Sequence, residues 1–490
     1  MNLCFESGVF PNLLKTAKVN PIHKKESKLN YLNYRPISLL SIFSKIFEKL
    51  IYLQIYSFLS KHHLISSRQF GFRSKHSTNH ALVSISEKIK SLLDDTQFVC
   101  GIFIDLEKAF DTVNHDILCD KLNYYGLRGN VNNLLKSYLS GRKQFVSING
   151  KDSEIKDITS GVPQGSSLGP LLFLIYINDF RFCLSKTETG HFADDTYILF
   201  ANKKLKTIET VINTELKNVS TWLCLNRLSL NEDKTELIIF HSKRNIPKLD
   251  KFSIKLNNKK LAPVDCVKYL GMYIDKTLSW DTHIFHLTKK LSRANGILSK
   301  LRHNAPISVC LNVYYALFYS HLNYGGSIWG ITSTENLDKI AKLQKKCVRI
   351  MTFSDYDSHT NPIFIDLKIL KVKDVIKLQQ LKLAYDYCNN LIPYDLHNLF
   401  NCVHEIHATN QITRGAHKNC LVKPPIKTTY AGEKSLKFQC VELWNHFMTK
   451  SIPLRAKPKP LDLDLNLIHN SHQFISKIKK HFQYMYTILD

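Results

Sequence analysis

Apolar positions along this chain switch between helical and strand spacing, and the switches mark its elements. Ile42, Ile46, Leu50 and Leu53 recur at steps of four and three, which predicts a core helix over Leu39–Leu59 with Ser38 as its cap. Just ahead, Pro36 holds Arg35 extended. Gln69-Phe70-Gly71-Phe72-Arg73 reads as a turn, and Ser77-Thr78 opens a second helix reaching Leu93. Phe98 to Ile104 is apolar without clean alternation, as in a central strand covered on both faces, and it ends at Asp105. A helix over His115–Tyr125 follows. Arg142–Ile148 and Asp152–Ile158 face each other across Asn149-Gly150, a favoured hairpin turn. A Gly/Ser loop from Ser160 to Pro170 then opens an apolar helix, Leu171–Ile177.

Thr189-Gly190-His191 ends a polar turn, and Phe192-Ala193-Asp194-Asp195 carries two adjacent carboxylates into an outgoing strand of β-formers, Thr196 to Phe200. A long helix over Leu205–Leu225 precedes a strand, Glu236–Phe240. Phe252–Leu256 and Lys259–Leu261 pair across Asn257-Asn258, and Val267-Lys268-Tyr269-Leu270-Gly271 begins another strand. From Trp280 the pattern is helical. Leu287, Leu291, Ala294, Leu298 and Leu301 form an apolar seam, while Lys289, Arg293 and Lys300 line a different face that suits phosphates. Helices continue over Val309–Leu322, Leu337–Ile350 and Val372–Cys388. A Pro/Lys linker, Ile452–Pro460, leads to a basic helix around Phe474–Phe482.

Composition adds the partner. Over 490 residues, 67 Lys and Arg face 41 Asp and Glu, a net charge of +26 that calls for a polyanion at the surface. Nucleic acid is the expected polyanion. A membrane is not expected, because the longest apolar run, Leu171 to Ile177, falls well short of the roughly 18 residues that span one. The twelve cysteines include no C-x-x-C pair and no signal peptide precedes them, so they read as free thiols in a reducing compartment. Cys402, His404, His407, His417 and Cys420 do not match zinc-ligand spacing and read as ordinary loop residues.

A lone Asp-Asp is usually a solvated turn. Here a third carboxylate, Asp105, ends a buried strand. Two carboxylates at roughly 5 Å repel by about 3 kcal/mol at an effective dielectric of about 20, so a fold that keeps them ionised calls for a cation. Oxygen-only ligands point to two Mg²⁺ or Mn²⁺ ions, with Asp105, Asp194 and Asp195 as ligands. Arg35 and the Lys24-Lys25 pair are candidates to grip a triphosphate, and Lys234 could protonate a departing pyrophosphate.

Asn33-Tyr34-Arg35-Pro36-Ile37-Ser38, Gln69 to Arg73, Asp105-Leu106-Glu107-Lys108-Ala109-Phe110-Asp111, Gly161-Val162-Pro163-Gln164-Gly165, Phe192 to Asp195, Asn231 to Thr235 and Tyr269-Leu270-Gly271 occur in order. This series resembles the successive motifs of reverse transcriptases of non-LTR (LINE-type) retrotransposons, jockey-like elements above all, from about Phe10 to Asp275. Leu343 to Arg349 and Leu443-Trp444-Asn445 look similar to the family's downstream region, less sharply.

The resemblance implies an α+β right-hand polymerase: partial fingers over 1–97, a palm over 98–278, a helical thumb over 279–400 and a C-terminal basic region over 401–490. It implies catalytic roles for Asp105, Asp194, Asp195 and Lys234, and nucleotide contacts from Lys24, Arg35, Phe110, Gln164 and Gly165. Arg73, Lys289, Arg293 and Lys300 are expected on nucleic acid. Phe110 matches the sugar-discriminating aromatic; a ring under the ribose leaves no room for a 2′-hydroxyl. Asp111 reads as a supporting or capping residue. The implied partners are an RNA template, a DNA primer and dNTPs, in the nucleus. Family members usually carry an endonuclease upstream, so that activity is expected from elsewhere. An RNA-dependent RNA polymerase would share the carboxylates, but Phe110 argues against it. The competing class is an inactive remnant that binds nucleic acid through its charge.

Overall fold

A strand buried on both faces needs a covering layer on each side, and β-strand geometry sends alternate residues to opposite covers. The computed structural model, which describes residues 2–24, 27–257, 259–403, 420–450 and 470–488, is arranged around one such strand. Lys25, Asn258, His404, His407, His417 and the 452–460 segment lie outside the described residues.

The chain opens with helix α1 (Asn2–Ser7), strand β1 (Thr16–His23) and strand β2 (Tyr34–Leu39), then helices α2 (Ile42–Lys61) and α3 (Thr78–Asp94). Strand β3 (Phe98–Ile104), helices α4 (His115–Tyr124) and α5 (Asn130–Leu139), and strands β4 (Arg142–Ile148), β5 (Lys151–Asp152) and β6 (Lys156–Ile158) follow. Helix α6 (Gly169–Ile177), strands β7 (Glu188–Phe192) and β8 (Asp195–Asn202), helix α7 (Leu205–Leu225) and strand β9 (Glu236–Phe240) complete the central region. Its sheet runs β7-β8-β3-β9, all antiparallel. Val99 and Phe103 of β3 join one core, with α3 and the later helices, whereas Cys100, Ile102 and Ile104 join the other, with α2 and α4 to α7. Both sides being apolar is why the sequence lacks alternation.

A second sheet forms from β2, β1, β4 and β5, with β6 also on β4. The 142–158 hairpin forms as expected. Its parallel pairing with β1, Ala17 opposite Gln144, joins segments more than a hundred residues apart and left no local signal. Two short hairpins, β10 (Ile254–Leu256) with β11 (Lys259–Leu261) and β12 (Cys266–Tyr269) with β13 (Met272–Asp275), lead into the helices. These are α8 (Asp281–Leu301), α9 (Ile307–Val313), a π-helical stretch Tyr314–Tyr319, α10 (Ser320–Asn323), α11 (Gly326–Trp329), α12 (Thr334–Thr352), α13 (Asn361–Asp366) and α14 (Val372–Cys388), then α15 (Leu436–Lys450) and α16 (Ser471–Ile488). Leu287, Leu291, Ala294 and Leu298 are buried along α8, as the seam requires. Among the described residues no helix is long and apolar enough to cross a membrane.

Three local expectations are corrected. The first is the face of α2: Ile42, Ile46, Leu50 and Leu53 are exposed, and the buried side carries Ser44, Phe47, Glu48, Ile51, Ile55 and Leu59. Both faces hold apolar residues at helical spacing, so counting them cannot choose. Specific partners choose instead. Phe47 meets Phe10 edge-on at 5.2 Å, and buried Glu48 accepts from Ser44 Oγ at 3.0 Å and Ser167 N at 2.6 Å, satisfying the chain ahead of α6. The second is its start. Ser41 caps the helix, accepting from Ser44 N, while Ser38 lies in β2. The third is Thr189-Gly190-His191, which is strand β7 because it pairs with Thr196 to Ile198 of β8. Helix α5 was not foreseen; its buried Leu134, Leu135, Tyr138 and Leu139 sit among polar neighbours.

The face of α2 is testable by urea denaturation. Phe47→Ala should destabilise the chain by about 3–5 kcal/mol, whereas Ile46→Lys should change it by less than about 0.5 kcal/mol; the reverse order would restore the predicted face.

Candidate active site

Strand register sets the site. Ile104 pairs with Thr196 across β3 and β8. One step further, Asp105 leaves β3 where Asp195 enters β8, and directly opposed residues in such a pair have Cβ atoms about 5 Å apart. Phe192 pairs with Asp195, so Ala193-Asp194 form the two-residue turn between β7 and β8. The chain leaving α7 returns to the same edge. Glu107 N donates to Ser229 O at 2.9 Å and Asn231 N donates to Asp105 O at 2.9 Å. A turn over Asn231–Lys234 then brings Lys234 Nζ to 3.6 Å from Asp105 Oδ2.

The electrostatics follow from this crowding. Burial pushes Asp194 above the usual carboxylate range and Asp105 adds to it, while Arg35 and Lys24 pull the other way. Asp195 is exposed, yet the protein around it desolvates its carboxylate and, with Asp194 and Asp105, pushes it up to about 6. Lys24 and Arg35, adjoining the β1–β2 pairing of Ile22 with Arg35, are exposed and act on this edge. Oxygen-only donors with no cation offsetting Asp195 fit a divalent ion bound by Asp105, Asp194 and Asp195. Their side chains are not gathered in advance: among the described residues, no three His, Cys, Asp or Glu groups stand close enough to share one ion. Asp105 lies beside Lys234, Oδ2 to Nζ 3.6 Å, while its charge still acts on Asp194 and Asp195.

The nucleotide-side residues form a second group. Phe110 stacks on Phe173 with ring centroids 4.5 Å apart and meets the edge of Phe72 at 6.2 Å. Gln164 Nε2 donates to Asp111 Oδ1 at 2.9 Å, and Ser38 N donates to Gln164 O at 2.7 Å, so the loop before α6 bridges β2 and the segment after β3. Gly165 is required at that bridge, since a Cβ there would lie 2.5 Å from Ser38 O at a φ of 122°. Asp111 is thus a support for Gln164. Burial raises its carboxyl pKa, opposed by Gln164, Lys108 and Lys24.

Arg73 is anchored to its own loop: its Nη1 donates to the carbonyls of Ser66 at 2.8 Å, Gln69 at 3.1 Å and Ser67 at 3.5 Å. Lys289, Arg293 and Lys300 are exposed on α8, with Lys289 Nζ 4.0 Å above the Phe285 ring, and none of them acts on the site's carboxylates. Glu48, Phe173 and Gln69 were missed as supports. Glu48 and Phe173 lie inside apolar runs that read as core, and Gln69 reads only as part of a turn.

Asp195 gives a pH prediction. A carboxyl whose folded pKa is raised binds more protons folded than unfolded, so its charge destabilises the fold above about 6 and that effect vanishes toward pH 4. Without divalent ions, Asp195→Asn should raise the thermal midpoint at pH 7.5, and the gain should shrink as pH falls through 6. A gain independent of pH would refute the raised pKa.

The sheet edge, the loop and the turn all fall inside the segment 22–274, which matches the family model for reverse transcriptase (RNA-dependent DNA polymerase). The probable RNA-directed DNA polymerase from transposon X-element of Drosophila melanogaster is 29% identical over 382 residues, 75% of this chain and 41% of that protein. The RNA-directed DNA polymerase from mobile element jockey of the same organism is 28% identical over 408 residues, 81% of this chain and 44% of that one. The chain spans less than half the length of these curated relatives. An apo telomerase structure from Candida tropicalis overlays at 12% identity and a TM-score of 0.42, covering 81% of this chain and 68% of that one. With more than half of its residues inside the family match, this chain belongs to the reverse transcriptase (RNA-dependent DNA polymerase) family.

Proposed function

We propose that this chain is an RNA-directed DNA polymerase of a non-LTR retrotransposon, adding dNTPs to a primer 3′-hydroxyl on an RNA template. The single observation that carries the reading is the β3–β8 register, which makes Asp105 and Asp195 neighbours beside the Asp194 turn. Residues 1–97 would serve as partial fingers, 98–278 as palm, 279–400 as thumb and 401–490 as a basic C-terminal region. When bound, two Mg²⁺ or Mn²⁺ ions supply Lewis acidity to the attacking hydroxyl and the pyrophosphate.

The chain's own residues do the rest. Arg35 and Lys24 would hold the triphosphate, since they already oppose the negative charge at Asp194. Phe110, backed by Phe173, would lie under the sugar and exclude a 2′-hydroxyl. Gln164 and Gly165 would run along the base pair being formed, fixed by Asp111 and Ser38. Lys234, beside Asp105, would hand a proton to the departing pyrophosphate. Lys289, Arg293 and Lys300 would follow phosphates of the template–primer duplex. The setting proposed is the nucleus, where a nicked chromosomal strand would offer the 3′-hydroxyl and a separate endonuclease activity would make the nick.

Primer extension on an RNA template tests the reading. Asp194→Ala should lower extension by about 100-fold or more while leaving duplex binding nearly unchanged. Wild type and variant extending equally poorly would favour a nucleic-acid binder without chemistry. Replacing Lys289, Arg293 and Lys300 together by Ala should weaken binding and reduce the log–log salt slope by roughly 2 to 3, read by fluorescence anisotropy across salt concentrations. An unchanged slope would remove α8 from the interface.

A further inference from the structure

The turn bearing the two adjacent aspartates is gripped from outside its own hairpin. Residues 68–70 run beside β7: Phe70 N donates to His191 O at 2.8 Å, and His191 N donates to Arg68 O at 2.9 Å. This pairing, a parallel bridge between Gln69 and His191, delivers the buried Gln69 side chain onto Ala193. Oε1 accepts from Ala193 N at 3.0 Å and from Gly71 N at 2.8 Å, and Nε2 donates to Ala193 O at 3.5 Å. One carboxamide therefore engages both backbone polar groups of the residue before Asp194.

Ala193 needs such a hold. Its φ is 59°, in the left-handed region that residues with a Cβ enter at a cost and keep only when their surroundings fix them. The surroundings here are tight. A Cβ on Gly71 would lie 2.3 Å from Ala193 N, so the two backbones touch with no room between them. Arg73 ties the far end of the gripping segment by donating to the carbonyls of Ser66, Ser67 and Gln69. The grip is thus itself braced, and through Phe72, whose ring meets Phe110 at 6.2 Å, it adjoins the nucleotide-side group.

We propose that Gln69 is a positioning residue: by holding both peptide groups of Ala193, it fixes the direction in which Asp194 and Asp195 leave the turn and so the spacing of their carboxylates as ion ligands. The inference rests on the polymerase reading of that site. A glutamine that merely filled a polar hole would contribute stability alone. A glutamine that aims the turn governs ion affinity as well, because groups that orient ligands typically change metal affinity or activity by about 10–100-fold when lost.

The test compares the full wild-type chain with Gln69→Ala, Gln69→Glu and Gly71→Ala. It reads Mn²⁺ binding by electron paramagnetic resonance, primer extension against Mg²⁺ concentration, and thermal unfolding. Gln69→Ala and Gly71→Ala should each weaken Mn²⁺ binding and raise the half-saturating Mg²⁺ by about 10-fold, with the KM for dNTP changed by less than about 3-fold. Gln69→Glu keeps the acceptor for both N–H groups but loses the donor to Ala193 O, and should recover only part of the loss. Should Gln69→Ala fail to fold, Gly71→Ala and Gln69→Glu carry the comparison. Wild-type Mn²⁺ affinity in Gly71→Ala, or losses that merely track a lowered melting temperature, overturns the proposal. A wild type that binds Mn²⁺ but extends no primer removes the polymerase reading alone, and the Mn²⁺ comparison still decides the role of Gln69. A wild type that binds no Mn²⁺ overturns both.

Discussion

The pairing of β3 with β8 is the constraint on which the rest depends, because it forces three carboxylates onto one sheet edge. Each such pair of like charges at roughly 5 Å costs about 3 kcal/mol at an effective dielectric of about 20. Apolar burial opposes that cost. Val99, Cys100, Ile102, Phe103 and Ile104 of β3, with Tyr197, Ile198 and Leu199 of β8, are all buried. At about 1.5–3 kcal/mol for each large side chain, burial of the strand pair is enough to offset the repulsion before entropy is counted. The charges are carried to the edge by the observed register, Ile104 opposite Thr196.

Around that edge the chain spends its cations sparingly. A net charge of +26 leaves many Lys and Arg to choose from, yet few bear on the three aspartates: Lys24 and Arg35 near β1 and β2, and Lys234 after α7. Lys24 and Arg35 are exposed and could turn to an anionic ligand without stripping a buried charge of its partner. Lys234 stands 3.6 Å from Asp105 with more than half of its side chain in solvent, so that contact is loose as well. The edge keeps an unbalanced acidic centre beside releasable basic arms, an arrangement suited to taking up cations and a polyphosphate together.

What the sequence made legible divides along physical lines. Elements set by local pattern were readable: β3 by its continuous apolar run, α3 by Ser77 at its cap, α7 and α14 by length and period, and the Asp194 turn by its two carboxylates. Pairing between distant segments was not. The β1–β4 contact, the return of residues 229–231 to β3 and the Gln69 grip on Ala193 all join stretches more than a hundred residues apart, and none leaves a periodic trace. The misread face of α2 has a different origin. Its buried side includes Ser44 and Glu48, and a rule that equates polar with exposed cannot find a glutamate held in the core by Ser44 Oγ and the Ser167 backbone.

The boundaries drawn from sequence also understate how closely the end of the chain joins its beginning. Glu87 of α3 accepts from Leu436 N at 2.8 Å and Lys437 N at 2.9 Å, a carboxylate at the start of α15 where helix N–H groups lack partners. Asp94 accepts from Thr428 N at 2.7 Å and Lys427 N at 3.0 Å. Lys90, lowered to about 8 by burial, donates to Lys434 O. Three residues at steps of three and four on α3 therefore clasp residues 427–437. The opposite partners of α3, Val99 of β3 and Leu199 of β8, belong to the same core as the buried side of α15. Part of the C-terminal basic region is by this route fastened to the helix that packs against the central sheet. Loosening it would strip α3 of these partners, so the helix packed on one face of β3 is held in part by residues more than three hundred positions downstream.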